Sequence, residues 1–599
     1  MPKYVLAFAL ALWLVSPTVA QVYRYEAENA QVRVGVQISN SVPGYSGTGY
    51  VTGFDNNNDY FETTVNVPSG LHELWVGYRS PFGQKGYRFR VGNEYGTGMF
   101  DMSTTFSADR AGLFYLNGGS TTLGIYKDWG YHDVDYLEFR PFTPPAVLPV
   151  SAQLSDPQAD RHTQMLMNYL TSIYGSKTLA GHQHDESKNL PFPSATFLSL
   201  SGGLKPAIRS SDFMEYSPSR LAYGANPRNE SEQSIAWARE NGGIISMTWH
   251  WNAPANLVNS SEWPWWSGFY TEATTFDLAG ALANPNGSDY QLLLRDIDAI
   301  AVQLQKFEDA GVPVIWRPLH EAQGNANGTS GQGAWFWWGA HGPGPFKQLW
   351  RLMHDRLTNY HGLHNLIWEF TSSAALNGHL QWYPGDDVVD MIGLDIYTDP
   401  NSSMSGPWYD ILAHYNGRKL IALSESGTLP NADLMELYGI AWSYFSMWKD
   451  EYLDNFSAQQ VQALFSDDDI ITLNELPMLP WNILAPPAGD YNADGTVNAA
   501  DYIVWRKSAG LNTIGHPADS NLDGRVDGLD LDFWRSRFGQ SSGSGGAFSS
   551  ANDPSLAVPE PPALAAFLMG IAAFIFALRR HNPFAPCGHS FSRLPSTVE

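Results

Sequence analysis

Eight short apolar runs, at residues 178–182, 205–209, 243–249, 312–316, 366–370, 388–394, 420–424 and 442–448, alternate with longer amphipathic stretches across residues 151–484. A strand buried on both faces needs a helical crossover before its next parallel neighbour, so this alternation points to a parallel α/β fold. Helices are expected at residues 158–174, 231–241, 290–310 and 346–361. Eight such units predict a (β/α)8 barrel with long loops. In a barrel of this kind all the C-terminal strand ends open onto one face.

Chemistry-bearing residues collect at those ends. The stretch 312–321, V-P-V-I-W-R-P-L-H-E, delivers Arg317, His320 and Glu321 directly after an apolar run. Buried charge is costly unless paired or employed, so these residues suggest a site. A second run, 420–423, leads into Ser424-Glu425-Ser426-Gly427. The other ends carry His182, His250, Asp395, Tyr397, Trp448 and Lys449. A lone histidine at a strand end is ordinarily a hydrogen-bonded structural residue, whereas six ends agreeing point to one cleft. Two strand-end glutamates suggest a paired-carboxylate hydrolase.

The motifs W-R-P-L-H-E, W-F-W-W-G (335–339), G-L-D-I-Y (393–397) and S-E-S-G resemble glycoside hydrolase family 26. The resemblance implies a retaining β-mannanase with Glu321 as proton donor and Glu425 as nucleophile. It implies that Tyr397 bonds to the nucleophile, and that His250, His320, Trp335, Asp395 and Trp448 line the sugar subsites; His182, at the end of the first strand, is expected to bind substrate as well. A Gly/Asn-rich insertion, 324–333, separates Glu321 from Trp335 and departs from the family pattern. Chemically, Glu425 must be ionised, so Arg317 and Tyr397 are expected to donate to it. Glu321 must keep its proton near neutrality, which calls for desolvation.

At 599 residues the chain is too long for one core. Residues 21–142 alternate in strand fashion between Gly, Asn and Pro clusters, and predict a β-sandwich. Y-E-A-E-N-A (25–30), G-T-G-Y-V (47–51) and V-D-Y-L-E-F (134–139) resemble carbohydrate-binding module family 35. That resemblance implies a structural Ca²⁺ at Glu26, Glu28 and Asp135, oxygen ligands suited to a hard cation. Trp129 is either a sugar platform or a core residue. Residues 143–150 form a Pro-rich linker.

Two segments within 486–540 repeat one pattern: Asp490, Asn492, Asp494 and Asp501, then Asp519, Asn521, Asp523 and Asp530, each with Gly at the sixth position. The spacing is that of an EF-hand Ca²⁺ loop with Asp at position 12. Each loop runs into an aromatic helix, and the pair resembles a type I dockerin, which implies a cohesin-like partner. The ends read as addresses: a secretory signal at 1–20, a Gly/Ser linker at 541–557, an apolar segment at 558–580 resembling a PEP-CTERM sorting signal, and a tail at 581–599.

Composition limits the partners. A net charge of −25 argues against nucleic acid or anionic lipid and fits a neutral substrate with bound cations. Aromatics at 14%, with 22 Trp, suit surfaces that stack on sugar rings. Cys587 is the single cysteine, so no intrachain disulfide forms. The sequence therefore predicts a secreted β-mannan hydrolase with no catalytic cofactor. A β-xylanase, a mixed-linkage β-glucanase and a non-catalytic glycan-binding scaffold remain as alternatives.

Overall fold

Alternating apolar residues in residues 21–142 build one antiparallel nine-stranded sheet in the computed structural model. The model describes residues 21–540 apart from 189, 327–329, 375–377, 401, 483–488, 493–494, 514–515 and 522. The expected signal, Gly/Ser linker, sorting segment and tail, and Asp494, lie outside the described residues. Two long strands, Tyr60–Ser80 and Ser103–Trp129, pair along most of their length, and a register shift between Leu74 and Trp75 bends the sheet. Inside lie Val51, Phe61, Leu74, Phe89, Leu123, Ile125, Leu137 and Phe139, all but fully buried. The only helix of this module among the described residues is a single turn, Ala27–Asn29.

The eight barrel strands are β1 (Thr178–Gln183), β2 (Ile208–Asp212), β3 (Ile244–Trp249), β4 (Val314–Pro318), β5 (Leu366–Ser373), β6 (Met391–Ile396), β7 (Leu420–Ser426) and β8 (Tyr444–Met447). Each pairs in parallel with the next, and β8 returns to β1. A short strand, Ile470–Ile471, adds to β1 outside the ring. All eight expected strands are present. Four start two or three residues later than expected: β2 at Ile208 rather than residue 205, β4 at Val314 rather than 312, β6 at Met391 rather than 388 and β8 at Tyr444 rather than 442, and β4 carries Arg317 and Pro318 within it. The apolar-run criterion stops at the first polar side chain, whereas the backbone ladder continues because the barrel's interior mouth accommodates polar groups.

The helix α1 (Arg161–Ile173) starts on Asp160, whose carboxylate accepts from Thr163 N at 2.7 Å. It lies across the N-terminal ends of the strands. Asp160 N donates to His364 O just before β5, and a His162 ring nitrogen meets Gly311 O just before β4. Both appended modules meet the barrel on this floor or on the helix ends around it. Tyr115 N donates to the Tyr438 hydroxyl at 3.1 Å, Phe142 packs edge-on against Tyr409, and Leu148 N donates to Asn416. On the other side, Asn168 of α1 donates to Asn521 O at 2.9 Å, and the Arg161 guanidinium covers the Phe533 ring. The C-terminal helices Ala499–Ser508 and Gly528–Arg537 each begin with a capping box, closed by Asp501 and Asp530. Among the described residues no helix is long and apolar enough to cross a membrane.

Candidate active site

Arg317 is the organising cation of the cleft. It is 1% exposed, and its Nη2 donates to Glu425 Oε1 at 2.8 Å and to Asp395 Oδ1 at 3.2 Å. Its Nε lies 3.6 Å from Glu369 Oε1. The Tyr397 hydroxyl donates to Glu425 Oε2 at 3.1 Å, so both oxygens of that carboxyl are held. After Pro318 the chain leaves the strand through two non-glycine residues with left-handed backbone, Leu319 (φ 53°) and Glu321 (φ 52°). Strain of this kind persists where the surroundings enforce it, and Glu321 N is pinned to Thr371 O at 3.0 Å.

The carboxyls are therefore in unequal states. Burial, and next the charge of Glu425, push Glu321 up to about 8. Burial and Glu425 likewise hold Asp395 well above the usual carboxylate range, against the pull of Arg317. Glu369, fully buried between Arg317, Ser424 and Tyr444, is raised by burial. His320 is driven well below the ordinary histidine value by burial, then by His250 and Arg317.

The wall beside Glu321 is aromatic. The His250 and His320 rings meet with their Nε2 atoms 3.1 Å apart, and Phe336 lies 5.7 and 5.3 Å from their centres. Trp448 lies 5.8 Å from His250, and Trp338 Nε1 donates to His320 O. Trp335, just past the insertion, folds against Gly324, and its indole N–H is buried without a hydrogen-bond partner. The structure thus brings together Arg317, His250, His320, Glu321, Trp335, Asp395, Tyr397, Glu425 and Trp448. His182 sits to one side, bonded to Asp450 at 2.9 Å. Trp129 belongs to the N-terminal module, away from the cleft, and is 47% exposed. The sequence motifs do not reach Asp212, Thr248 or Glu369, and Phe336 stands inside W-F-W-W-G without a role assigned to it. The polar members of that group sit inside strands, and a run such as L-I-W-E-F carries no sign that its glutamate faces a guanidinium.

Two acidic clusters lie elsewhere. Glu26 accepts from Ser46 Oγ at 2.6 Å, Asp135 from Ser46 N at 2.9 Å, and Glu28 from Thr48 N at 2.7 Å. Glu28 Oε2 is buried without a hydrogen-bond partner, and burial followed by Glu26 and Glu28 raises Asp135 to about 6. An orphaned carboxylate oxygen among crowded acids fits a hard cation. In the second C-terminal loop, burial and the neighbouring Asp530 and Asp523 push Asp519 up to about 7. Among the described residues no three His, Cys, Asp or Glu side chains form a metal cage by themselves. An EF-hand-type loop draws part of its ligand set from Asn and backbone oxygens.

A closed β/α barrel with a proton-retaining glutamate after β4 and a doubly held glutamate in β7 defines a glycoside hydrolase. The model of glycosyl hydrolase family 26 matches residues 155–475, and the chain belongs to that family. Carbohydrate binding module family 35 matches residues 23–142, and the dockerin type I domain residues 488–537. A mannan endo-1,4-β-mannosidase of Thermothelomyces thermophilus is 40% identical over 76% of this chain and 90% of its own length. Mannan endo-1,4-β-mannosidase B of Piromyces sp. is 29% identical over 79% and 80%. The crystal structure of the Podospora anserina GH26-CBM35 β-(1,4)-mannanase aligns at TM-score 0.54 and 38% identity, covering 77% of this chain and 99% of that one. A ruminal GH26 endo-β-1,4-mannanase aligns at 0.60 and 30%, covering 76% and 98%.

Proposed function

We propose that the chain is a retaining mannan endo-1,4-β-mannosidase in which Glu425 is the nucleophile and Glu321 the acid/base. One observation carries the role assignment: burial and Glu425 keep Glu321 protonated to about pH 8, while Arg317 and Tyr397 grip the other carboxyl. Two donors hold both oxygens of Glu425 in place for attack. It attacks the anomeric carbon while Glu321 gives its proton to the departing glycosidic oxygen, forming a glycosyl-enzyme ester. Glu321, now a carboxylate, takes a proton from water as that water displaces Glu425, and the stereochemistry is retained. His182, His250, His320, Trp335, Asp395 and Trp448 line the subsites. The names of both relatives and both solved structures support mannan as the substrate.

The module bounds follow: signal peptide 1–20, sandwich 21–142, linker 143–150, barrel 151–484, dockerin-like repeats 486–540, Gly/Ser linker 541–557, sorting segment 558–580 and tail 581–599. A dockerin and a sugar-binding module attached to a glycoside hydrolase suit work outside the cell, and the dockerin implies a cohesin partner. The segment 558–580 would retain the protein at the cell envelope. In the sandwich, Glu26, Glu28 and Asp135 would hold one Ca²⁺, and the exposure of Trp129 supports it as a sugar platform. In the repeats, Asp490, Asn492, Asp494 and Asp501, then Asp519, Asn521, Asp523 and Asp530, would hold two more. Bound Ca²⁺ neutralises crowded acids there and takes no part in hydrolysis.

The test is Glu321→Ala and Glu425→Ala, assayed on mannan, glucomannan, galactomannan, xylan and lichenan with products sized. Each variant should lose orders of magnitude in turnover with its fold intact, and near-normal activity in either sinks the assignment. Release from xylan or lichenan alone overturns the substrate.

A further inference from the structure

Asp212, the last residue of β2, is buried and binds His250 twice. Its Oδ2 lies 2.5 Å from His250 Nδ1, and its Oδ1 accepts from His250 N at 3.1 Å. From there a chain of contacts runs across the cleft wall. His250 Nε2 meets His320 Nε2 at 3.1 Å, His320 Nδ1 meets Thr248 Oγ1 at 3.2 Å, and Thr248 Oγ1 meets Arg317 O at 2.9 Å. Thr248, His320 and Asp212 are each about 1% exposed, and His250 is 7% exposed, so the chain of contacts runs through the protein interior.

The protons in this chain can be placed from its ends. A backbone carbonyl only accepts, so the single Thr248 proton goes to Arg317 O. Thr248 Oγ1 therefore accepts from His320, whose proton sits on Nδ1. A neutral His320 then presents a bare Nε2, and the 3.1 Å contact requires His250 to donate from its own Nε2. At the other end a carboxylate accepts from His250 Nδ1. His250 thus carries protons on both nitrogens. A neutral His320 accords with its place well below the ordinary histidine value, and contact with His250 carries Asp212 below its usual range although burial alone would raise it. The other charged groups facing this chain are Lys449 and Glu186 beside Asp212, and Arg317 beside His320.

We propose that Asp212 is a positioning residue that holds His250 as an imidazolium, and that this ion pair fixes His320 as a neutral ring protonated on Nδ1. The consequence falls on Glu321, and this part rests on reading Glu321 as the acid. His320 precedes Glu321 in sequence and lines the same wall. An imidazole with a free Nε2 there is a base that competes for the proton Glu321 must deliver. Filling that lone pair with the His250 N–H removes the competitor, so Asp212 protects the acid without touching substrate.

Imidazole nitrogen NMR of the full-length protein labelled with ¹⁵N-histidine reads the proton placement on the native enzyme, and the variants serve only to assign its signals. Signals are assigned by their loss in His250→Gln and His320→Gln. At neutral pH, His250 should show two protonated nitrogens and His320 a proton on Nδ1 alone. A bare nitrogen on His250, or an Nε2-protonated His320, overturns the assignment. A second arm reads function. Asp212→Asn should lower kcat/KM on a manno-oligosaccharide on the order of 10²-fold, less than the ~10⁴-fold seen where an orienting carboxylate serves the reacting base itself. With 2,4-dinitrophenyl β-mannobioside, whose phenolate departs without a proton, kcat/KM should change by less than about threefold. Equal losses on both substrates mean a merely structural role and reject the proposal. Glu321→Ala on the same pair is the control: if it too loses equally on both, the acid assignment has failed, and the NMR result still stands or falls separately.

Discussion

Glu321 is held where an ionised carboxyl is least welcome, and its function depends on that discomfort. Its ordinary value of 4.5 is displaced to about 8 by burial and by Glu425. Between those two pH values the folded chain keeps a proton that the unfolded chain releases, so this residue's contribution to stability declines as pH rises through the window. Glu321→Gln should therefore match the wild type in melting temperature near pH 4.5 and exceed it by pH 8, a gap that thermal scans across pH measure. An equal gap at both ends would mean that the carboxyl is not the source. Activity should fall above about pH 8 as the acid loses its proton. Both glutamates are legible in the sequence because each follows an apolar run within a recognisable motif. Asp212 and Glu369 are not, because the side chains that make them matter lie on other strands.

Strand β6 shows how tightly the elements are fitted around these charges. A Cβ added at Gly393 would collide with Ser424 Oγ, Glu369 Oε1 and Thr371 Oγ1, side chains from β7 and β5. Gly393→Ala should cost about 1–3 kcal/mol by overpacking and also displace Glu369 from Arg317. Chemical denaturation measures the first effect and kcat the second; a variant with full stability and full turnover would show that the strand has slack. Eight apolar runs were enough to count the strands, since burial on both faces leaves a plain signature. Their ends were not, as β2 and β4 show. Hydrophobicity reports where a strand is dry, and the catalytic end of a barrel strand is where it stops being dry. For the same reason the left-handed turn through Leu319 and Glu321 left no mark in composition, since neither residue is a glycine.

At the scale of the whole molecule, both appended modules meet the barrel at its floor and the helix ends around it, opposite the cleft. Leu113 and Phe142 of the N-terminal module pack into the barrel's own apolar cluster. Removing residues 21–142 should lower the melting temperature by uncovering Tyr409 and Tyr438, while kcat/KM on a soluble oligosaccharide stays unchanged. A drop in kcat/KM on that soluble substrate would mean that the module reaches the cleft after all. The order of the modules and their chemistry were legible in the sequence, but residues such as Tyr115 and Asn168 look like any surface residue until a neighbour is placed against them. With both appended modules seated behind the barrel, a polymer held by either one would have to pass around the catalytic domain to reach the cleft. Holding and cutting would then fall on different stretches of the material.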